Sequence, residues 1–156
     1  MRTSLVRRLL GGVLAVLLVS GVAGAQTPTP TEIAATRVQA NAGDADSQWL
    51  LGYYYSTGQG VPQDYAQAVT WYRLAAEQGD ADAQFNLGFM YYNGRGVPQD
   101  YVESHKWRNL AASRASAEDQ TQYAETRDAV ATLMTPTQIE AAQTLAREWL
   151  AAFQKR

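Results

Sequence analysis

Residues 58–65 read GQGVPQDY and residues 94–101 read GRGVPQDY, 36 positions later. The likeness extends well beyond the octapeptide. GDADSQWLLGYYYSTGQGVPQDYAQAVTWYRLAA over 43–76 and GDADAQFNLGFMYYNGRGVPQDYVESHKWRNLAA over 79–112 agree at more than half of their positions. A catalytic motif is usually written once, whereas a unit stacked on its own copy is written at a period. Such a unit cannot bury its apolar face alone, so neighbouring units or caps must cover it.

Each copy reads as two helices joined by the repeated octapeptide. The first helix spans roughly 46–56 in copy one and 82–92 in copy two. Ala83, Leu87 and Met90 fall at i, i+4, i+7, which is one helical face. Gly52 and Gly88 interrupt these helices at a cost of about 1 kcal/mol each. Close approach of the partner helix is the expected reason. Gly58 and Gly94 fit helix stops with positive φ, and Pro62 and Pro98 hold Val61 and Val97 extended, where each can plug the gap between helices. Asp64 and Asp100 are N-caps of the second helices, roughly 65–77 and 101–112, with Gln67 and Glu103 placed to complete capping boxes. Ala68, Trp71 and Ala75 share one face there, as do Ser104, Trp107 and Ala111. The octapeptide is no nucleotide loop: it follows a helix, carries a proline and lacks a lysine for phosphate.

The flanks supply covers for the two copies. Thr29-Pro30-Thr31-Glu32 is a helix start with an N-cap, a first-turn proline and a box-closing acid. Thr135-Pro136-Thr137-Gln138 repeats that signal after a helix ending near Met134. Ile139, Ala142, Leu145, Ala146 and Trp149 then form the stripe of a closing helix, with Phe153 at its frayed end. Ahead of all this, MRTSLVRR is basic and LLGGVLAVLLVSGVAG is apolar, ending at Ala23-Gly24-Ala25. That pattern reads as a secretory leader cleaved before Gln26, with an uncleaved membrane anchor as the alternative; the run is a little short for a full span of about 20 residues. The layout is therefore a signal peptide over 1–25, a linker over 26–29, an N-terminal capping helix over 30–42, repeats over 43–78 and 79–114, and C-terminal capping helices over 115–156.

The residues Leu51-Gly52, Tyr55, Gly58, Gly60-Val61-Pro62, Asp64-Tyr65, Ala68, Trp71-Tyr72 and Ala75-Ala76 carry a family resemblance. Copy two repeats it in Leu87-Gly88, Tyr91, Gly94, Gly96-Val97-Pro98, Asp100-Tyr101, Trp107 and Ala111-Ala112. The chain resembles the Sel1-like repeat proteins, relatives of the tetratricopeptide repeats. The resemblance implies an all-α fold, a short right-handed α-solenoid of stacked antiparallel helix pairs with N- and C-terminal capping helices. It also implies recognition of protein or peptide, with no shared reaction. Copy two departs from the pattern at Ser104 and Arg108, which is expected to loosen its second helix slightly. Cysteine-rich exported members are linked to β-lactam chemistry, and this chain has no cysteine.

Alignment with the tetratricopeptide relatives places Asp46, Trp49, Tyr53, Ser56 and Thr57 on the concave face, with Asp82, Phe85, Phe89, Tyr92 and Asn93 in copy two. Helical spacing independently sets Trp49, Tyr53, Phe85, Phe89 and Tyr92 away from the core stripe. The candidate peptide-binding groove is Trp49, Tyr53, Phe85, Phe89, Tyr92 and Asn93. Large aromatics bury much area at modest entropic cost. The competing reading packs the same rings, Trp49 and Phe85 above all, against the neighbouring unit.

Charge narrows the partners. The chain holds 13 basic and 15 acidic residues, and loss of Arg2, Arg7 and Arg8 with the leader leaves a mature balance of −5. Such a surface repels phosphate backbones and anionic membranes. Absence of cysteine excludes thiol catalysis and cysteine-ligated metals. His105, the only histidine, is expected to be a partly exposed helical residue, since one histidine is a poor metal site and no partner for base catalysis is evident. Ser104 beside it reads as a small packing residue. Asp44, Asp46, Asp80 and Asp82 sit at helix starts, where the dipole favours negative charge. Arg114, Arg127 and Arg147 read as solvated surface arginines, with capture of a peptide carboxylate as the alternative. No catalytic residue, metal or cofactor is expected. The expected function is an exported, non-catalytic protein-interaction module in the periplasm that holds a protein or peptide segment in its concave groove. Nucleic acid is not an expected partner, nor is a membrane after leader cleavage; the oligomeric state stays open. An enzyme of cell-wall or β-lactam chemistry and a structural subunit of an envelope complex remain as alternatives.

Overall fold

A computed structural model describes residues 27–156; the expected leader over 1–25 and the first linker residue lie outside them. The described residues form seven helices and no strand: α1 (Pro30–Asn41), α2 (Ala45–Thr57), α3 (Tyr65–Glu77), α4 (Ala81–Asn93), α5 (Tyr101–Arg114), α6 (Ala117–Ala131) and α7 (Pro136–Phe153). Successive helices pack antiparallel, α2 on α3 and α4 on α5, and the pairs stack into an α-solenoid. No helix among the described residues is long and apolar enough to cross a membrane.

The octapeptide works as a clasp. Gly58 and Gly94 end α2 and α4 in the left-handed conformation, φ 74° and 63°. The backbone N–H of Asp64 then donates to the Tyr55 carbonyl at 2.9 Å, and that of Asp100 to Tyr91 at 3.0 Å. Gln63 and Gln99 complete the clasp: each side-chain amide donates at 2.8 Å to a last-turn carbonyl, Ser56 and Tyr92. These carbonyls would otherwise be unpaired at a helix end. The carboxylates of Asp64 and Asp100 each accept two backbone N–H bonds from the next helix. The expected capping boxes at Asp64 and Asp100 are not completed. Glu103 instead binds Lys106 Nζ and Trp107 Nε1, both within its own helix turn. True reciprocal boxes occur at Thr29–Glu32 and Thr135–Gln138.

Within each pair the helices meet closely at the interior glycine. A Cβ on Gly52 would stand 2.6 Å from the Tyr72 ring, and one on Gly88 would stand 2.8 Å from Arg108 Cγ and 3.1 Å from the Ser104 carbonyl. The core follows from that spacing. It is rich in alanine, with Ala68, Ala75, Ala76 and Ala83 fully buried around Leu87, Met90, Trp107 and Leu110. Val97 packs against this core, as a plug in the gap between helices should. At Ser104, where a loosened helix was expected, the structure has a tie. The Ser104 hydroxyl donates to the Gly88 carbonyl at 2.8 Å, buried between α4 and α5.

The joints between units repeat with the sequence. The Gln48 amide donates to the Ala40 carbonyl and the Gln84 amide to that of Ala76, each at 3.0 Å. Arg37 donates to the Tyr55 hydroxyl and Arg73 to that of Tyr91, each at 2.8 Å. A third joint stands one period further on with its partners exchanged: Arg127 donates to Asn109 Oδ1 at 3.2 Å. Helices α2, α4 and α6 begin at Ala45, Ala81 and Ala117, so α6 occupies the register of a third first helix. It lacks the strong cap of its predecessors, for Ser116 bonds Asp119 rather than a backbone N–H.

Helix α7 packs along α5. Ala142 and Ala146, both buried, allow that approach, and Trp149 meets Trp107 edge to face at 6.2 Å. The end of α7 is tied down rather than frayed. Phe153 stacks on Trp149 at 4.9 Å under the Arg114 guanidinium, and Arg156 donates to the Glu77 carbonyl.

The Gly52 contact gives a stability prediction. Gly52→Ala gains about 1 kcal/mol of helix propensity but drives a methyl into a buried ring, and overpacking costs about 1–3 kcal/mol. Net destabilisation is expected, seen as a lower urea midpoint by circular dichroism. Gly88→Ala should destabilise as well, because its methyl would meet the stem of the buried Arg108 and the Ser104 carbonyl. A Gly52→Ala chain as stable as wild type would show that helix spacing does not depend on this glycine.

Candidate interaction groove

At the seam between the two units lies a depression of about 220 Å³. Helix α2 lends it Tyr53, Ser56 and Thr57, and α3 lends Tyr65 and Tyr72. Helix α4 supplies Asn86, Phe89 and Met90, and Arg95 stands beside them in the second clasp. The walls are mainly aromatic and apolar, as in binding clefts generally. The lining contains one charged side chain, Arg95, and no histidine or carboxylate.

The six candidate groove residues separate. Tyr53 and Phe89, equivalent positions of the two copies, both line the depression. Tyr53 is half-buried, and its hydroxyl accepts from Gln59 at 3.1 Å. Phe89 is 39% exposed, the most exposed aromatic of the six and so the one with most area left to bury. Trp49 stacks on Tyr53 at 6.0 Å and packs against the core, outside the lining. Phe85 stacks on Tyr123 of α6 at 4.3 Å, nearly parallel, so the neighbouring helix covers it. Tyr92 leans on Tyr101 at 5.7 Å. Asn93 is exposed and spends its amide on the Phe89 carbonyl at 2.9 Å, a helix-end contact. Of the wider concave set, Ser56 and Thr57 line the depression. Asp82 is bonded to the Tyr123 hydroxyl and ties α4 to α6.

Spacing arguments missed Tyr65, Tyr72, Asn86, Met90 and Arg95. Two of these left a trace in the sequence. Asn86 and Arg95 stand where copy one has Leu50 and Gln59, and Arg95 is the single change within the octapeptide. Tyr72 forms the floor. Its hydroxyl shares a hydrogen bond with Ser56 at 3.0 Å, and burial pushes its pKa far above the usual phenol range. It stays neutral and serves as a polar anchor rather than a proton carrier.

On the other side of α4, Arg108 is buried where copy one has Tyr72. Its guanidinium lies 5.7 Å from the Phe85 ring centre and 5.3 Å from that of Tyr92, and it donates to the Thr126 carbonyl at 3.1 Å. Arg108 therefore stitches α4, α5 and α6 together, the reverse of the loosening expected of it. Burial lowers its pKa, although a guanidinium stays charged in proteins. His105 is also buried, contrary to the expectation of partial exposure, because α6 lies against this face of α5. Its Nδ1 is buried with no hydrogen-bond partner among the described residues. Arg114 donates to the Gly79 carbonyl, Arg127 pairs with Asp128, and Arg147 turns to Thr144. None of the three lines the depression.

The family model for the Sel1 repeat matches residues 45–80 and 81–116. The chain carries two Sel1 repeats. The boundaries coincide with the starts of α2, α4 and, one residue on, α6. Among solved structures, c5321, a protective antigen of uropathogenic Escherichia coli with an SLR fold, is 32% identical. It aligns at a TM-score of 0.72 over 78% of this chain and 26% of its own. A Sel1 repeat protein from Oxalobacter formigenes is also 32% identical, with a TM-score of 0.54 over 55% of this chain and 35% of its own. This Sel1-repeat chain thus spans about a quarter to a third of the length of those two proteins. No curated protein matches it. Sel1 repeats commonly serve as protein–protein interaction modules.

The buried histidine makes stability depend on pH. Burial and the nearby Arg127 lower the His105 pKa, and Asp128 opposes them more weakly. The unfolded chain then binds the proton more readily than the fold, so stability falls as pH drops below about 6.5. The urea midpoint should decline between pH 7 and pH 5. His105→Val, the residue of copy one, should decline less. Equal slopes in the two proteins would assign the pH dependence elsewhere.

Proposed function

We propose that this chain is an exported, non-catalytic interaction module that works in the periplasm and holds a protein or peptide segment across the seam between its two repeats. The observation that carries the reading is the pairing of Tyr53 with the exposed Phe89 across one depression. Two aromatic walls facing one cleft suit an apolar or aromatic anchor of a partner. The family's common use supports the same reading. An enzyme would need a nucleophile and a base within reach of one another. The lining offers hydroxyls, one amide and one guanidinium but no base.

Affinity capture from a periplasmic extract tests the groove. The wild-type chain should enrich a protein whose retention falls about 30-fold in Tyr53→Ala/Phe89→Ala, the effect of losing a ~2 kcal/mol anchor. Circular dichroism would verify that the variant stays helical. Phe85→Leu is the control, because its ring packs on Tyr123; it should lower stability and leave capture intact. Equal capture by wild type and the double variant would move the interaction to another face. Export is tested separately by fusing residues 1–30 to a reporter that folds only outside the cytoplasm. Activity lost on deletion of residues 9–24 is expected, and a fusion inactive from the start would refute export.

A further inference from the structure

We propose that Arg95 makes the seam selective for acidic peptide segments, pairing its guanidinium with an aspartate or glutamate side chain of an extended partner chain. This rests on the binding reading above and specifies its partner. Among the described residues there are eight arginines. Arg37, Arg73, Arg108, Arg114, Arg127, Arg147 and Arg156 each donate a side-chain hydrogen bond to a protein acceptor. Arg95 is the exception. Its guanidinium lies 5.3 Å from the Tyr65 ring centre and 5.6 Å from that of Phe89, and no carboxylate among the described residues lies within ion-pair distance of it. The two rings flank the cation at the edge of the depression. Its side-chain N–H groups make no hydrogen bond to a described residue and are left to bind a ligand, and their fork matches a carboxylate.

Asn86 supports the same polarity. It lines the depression beside Phe89, and no hydrogen bond from its side-chain amide to another described residue is present. It can donate to a carboxylate or to a peptide carbonyl of the bound chain. Neither residue is demanded by the fold, since copy one carries Leu50 and Gln59 at these positions and folds the same way. The mature chain is acidic overall, so long-range steering does not bring an acidic segment in. Recognition would be local, at one exposed cation beside aromatic walls. Arg95 stands on the exposed rim, where a side chain of a passing segment can reach it without the chain ending there.

The test is selection from a random library of blocked hexapeptides, acetylated and amidated, with a parallel library carrying free C-terminal carboxylates. The baits are wild type, Arg95→Gln, Arg95→Lys and Tyr53→Ala/Phe89→Ala, each verified as helical. In the blocked library, wild type should retain peptides enriched at least fivefold in aspartate and glutamate over asparagine and glutamine at one position. Arg95→Gln, which installs the copy-one residue, should lose that preference while still retaining apolar peptides. Arg95→Lys should keep part of it. The best peptide, measured by fluorescence titration, should bind about 5- to 30-fold more weakly to Arg95→Gln and weaken as salt rises from 50 to 500 mM. Peptides retained by wild type without acid preference, or with a preference unchanged in Arg95→Gln, would overturn the inference and leave the groove standing. Retention only from the free-carboxylate library would make the occupant a chain terminus and overturn it as stated. Retention unchanged by Tyr53→Ala/Phe89→Ala, or no retention by any bait, would overturn both the inference and the groove.

Discussion

The distance between paired helices governs this structure, and it is set by the absence of one methyl group. At Gly52 the ring of Tyr72 rests directly on the α2 backbone, and at Gly88 the stem of Arg108 does the same on α4. Helices this close can be packed with alanine. That explains a core built on Ala68, Ala75, Ala76, Ala83 and Ala111 rather than on larger side chains. Small side chains tolerate few errors of position, because a close-packed interior has little slack. The clasp supplies that precision. Its glycine stop, its proline and the amide of Gln63 or Gln99 fix where each second helix starts relative to the end of the first.

Stacking the units is a separate problem from building each one, and the structure solves it with polar side chains. Two hydrogen bonds join each second helix to the next first helix, a buried one from glutamine to a helix-end carbonyl and an exposed one from arginine to tyrosine. Such bonds are directional, whereas apolar contact is not, so they hold register where alanine faces could slide. The third joint keeps the arginine but moves it from the second helix to the first, with Asn109 as its partner. Arg108 and the Asp82–Tyr123 bond then take over the role of the missing glutamine tie. The outer face of α6 is exposed and polar through Glu118, Gln122 and Glu125, so this layer of the stack ends at α6 without leaving an apolar surface open.

The frame was legible in the sequence because each of its signals is local. Glycine stops, proline geometry, N-caps and the i, i+4, i+7 face of Ala83, Leu87 and Met90 need no knowledge of neighbours. The groove was half legible for the opposite reason. Helical spacing identified the rings that leave the core stripe, but it cannot say what the next unit covers. Tyr53 and Phe89 remain open to the seam, whereas Phe85 is partly covered by Tyr123. That cover was hard to foresee, since Tyr123 occupies the position of Leu51 and Leu87 in a helix that shares little else with them. His105 was misjudged by the same route: its exposure depends on α6, whose register is visible only in three dimensions. Arg95 was in plain view as the one altered residue of eight, but an isolated loop arginine carries no meaning until its rings and its lack of a partner are known.

Two near-identical units in one chain form an internal comparison. Where they agree, the residues build the frame: Gly52 and Gly88, Gln48 and Gln84, Asp64 and Asp100, Gln63 and Gln99. Where they differ around the seam, two positions gain polarity and a third loses its hydroxyl. Leu50 becomes Asn86, Gln59 becomes Arg95 and Tyr53 becomes Phe89, so the second copy trades an apolar side chain for an amide, an amide for a cation and a phenol for an exposed ring. A frame that tolerates either residue at each position exerts no force toward such a set. The exposed ring and the cation lie together, because Arg95 rests over Phe89 as well as over Tyr65. Without Phe89 the cation would keep only the Tyr65 ring beside it, and without Arg95 the ring would keep its apolar surface but lose the adjacent charge. Apolar anchoring and charge recognition therefore sit side by side at this seam, with Phe89 and Arg95 of the second repeat set against Tyr53 and Tyr65 of the first.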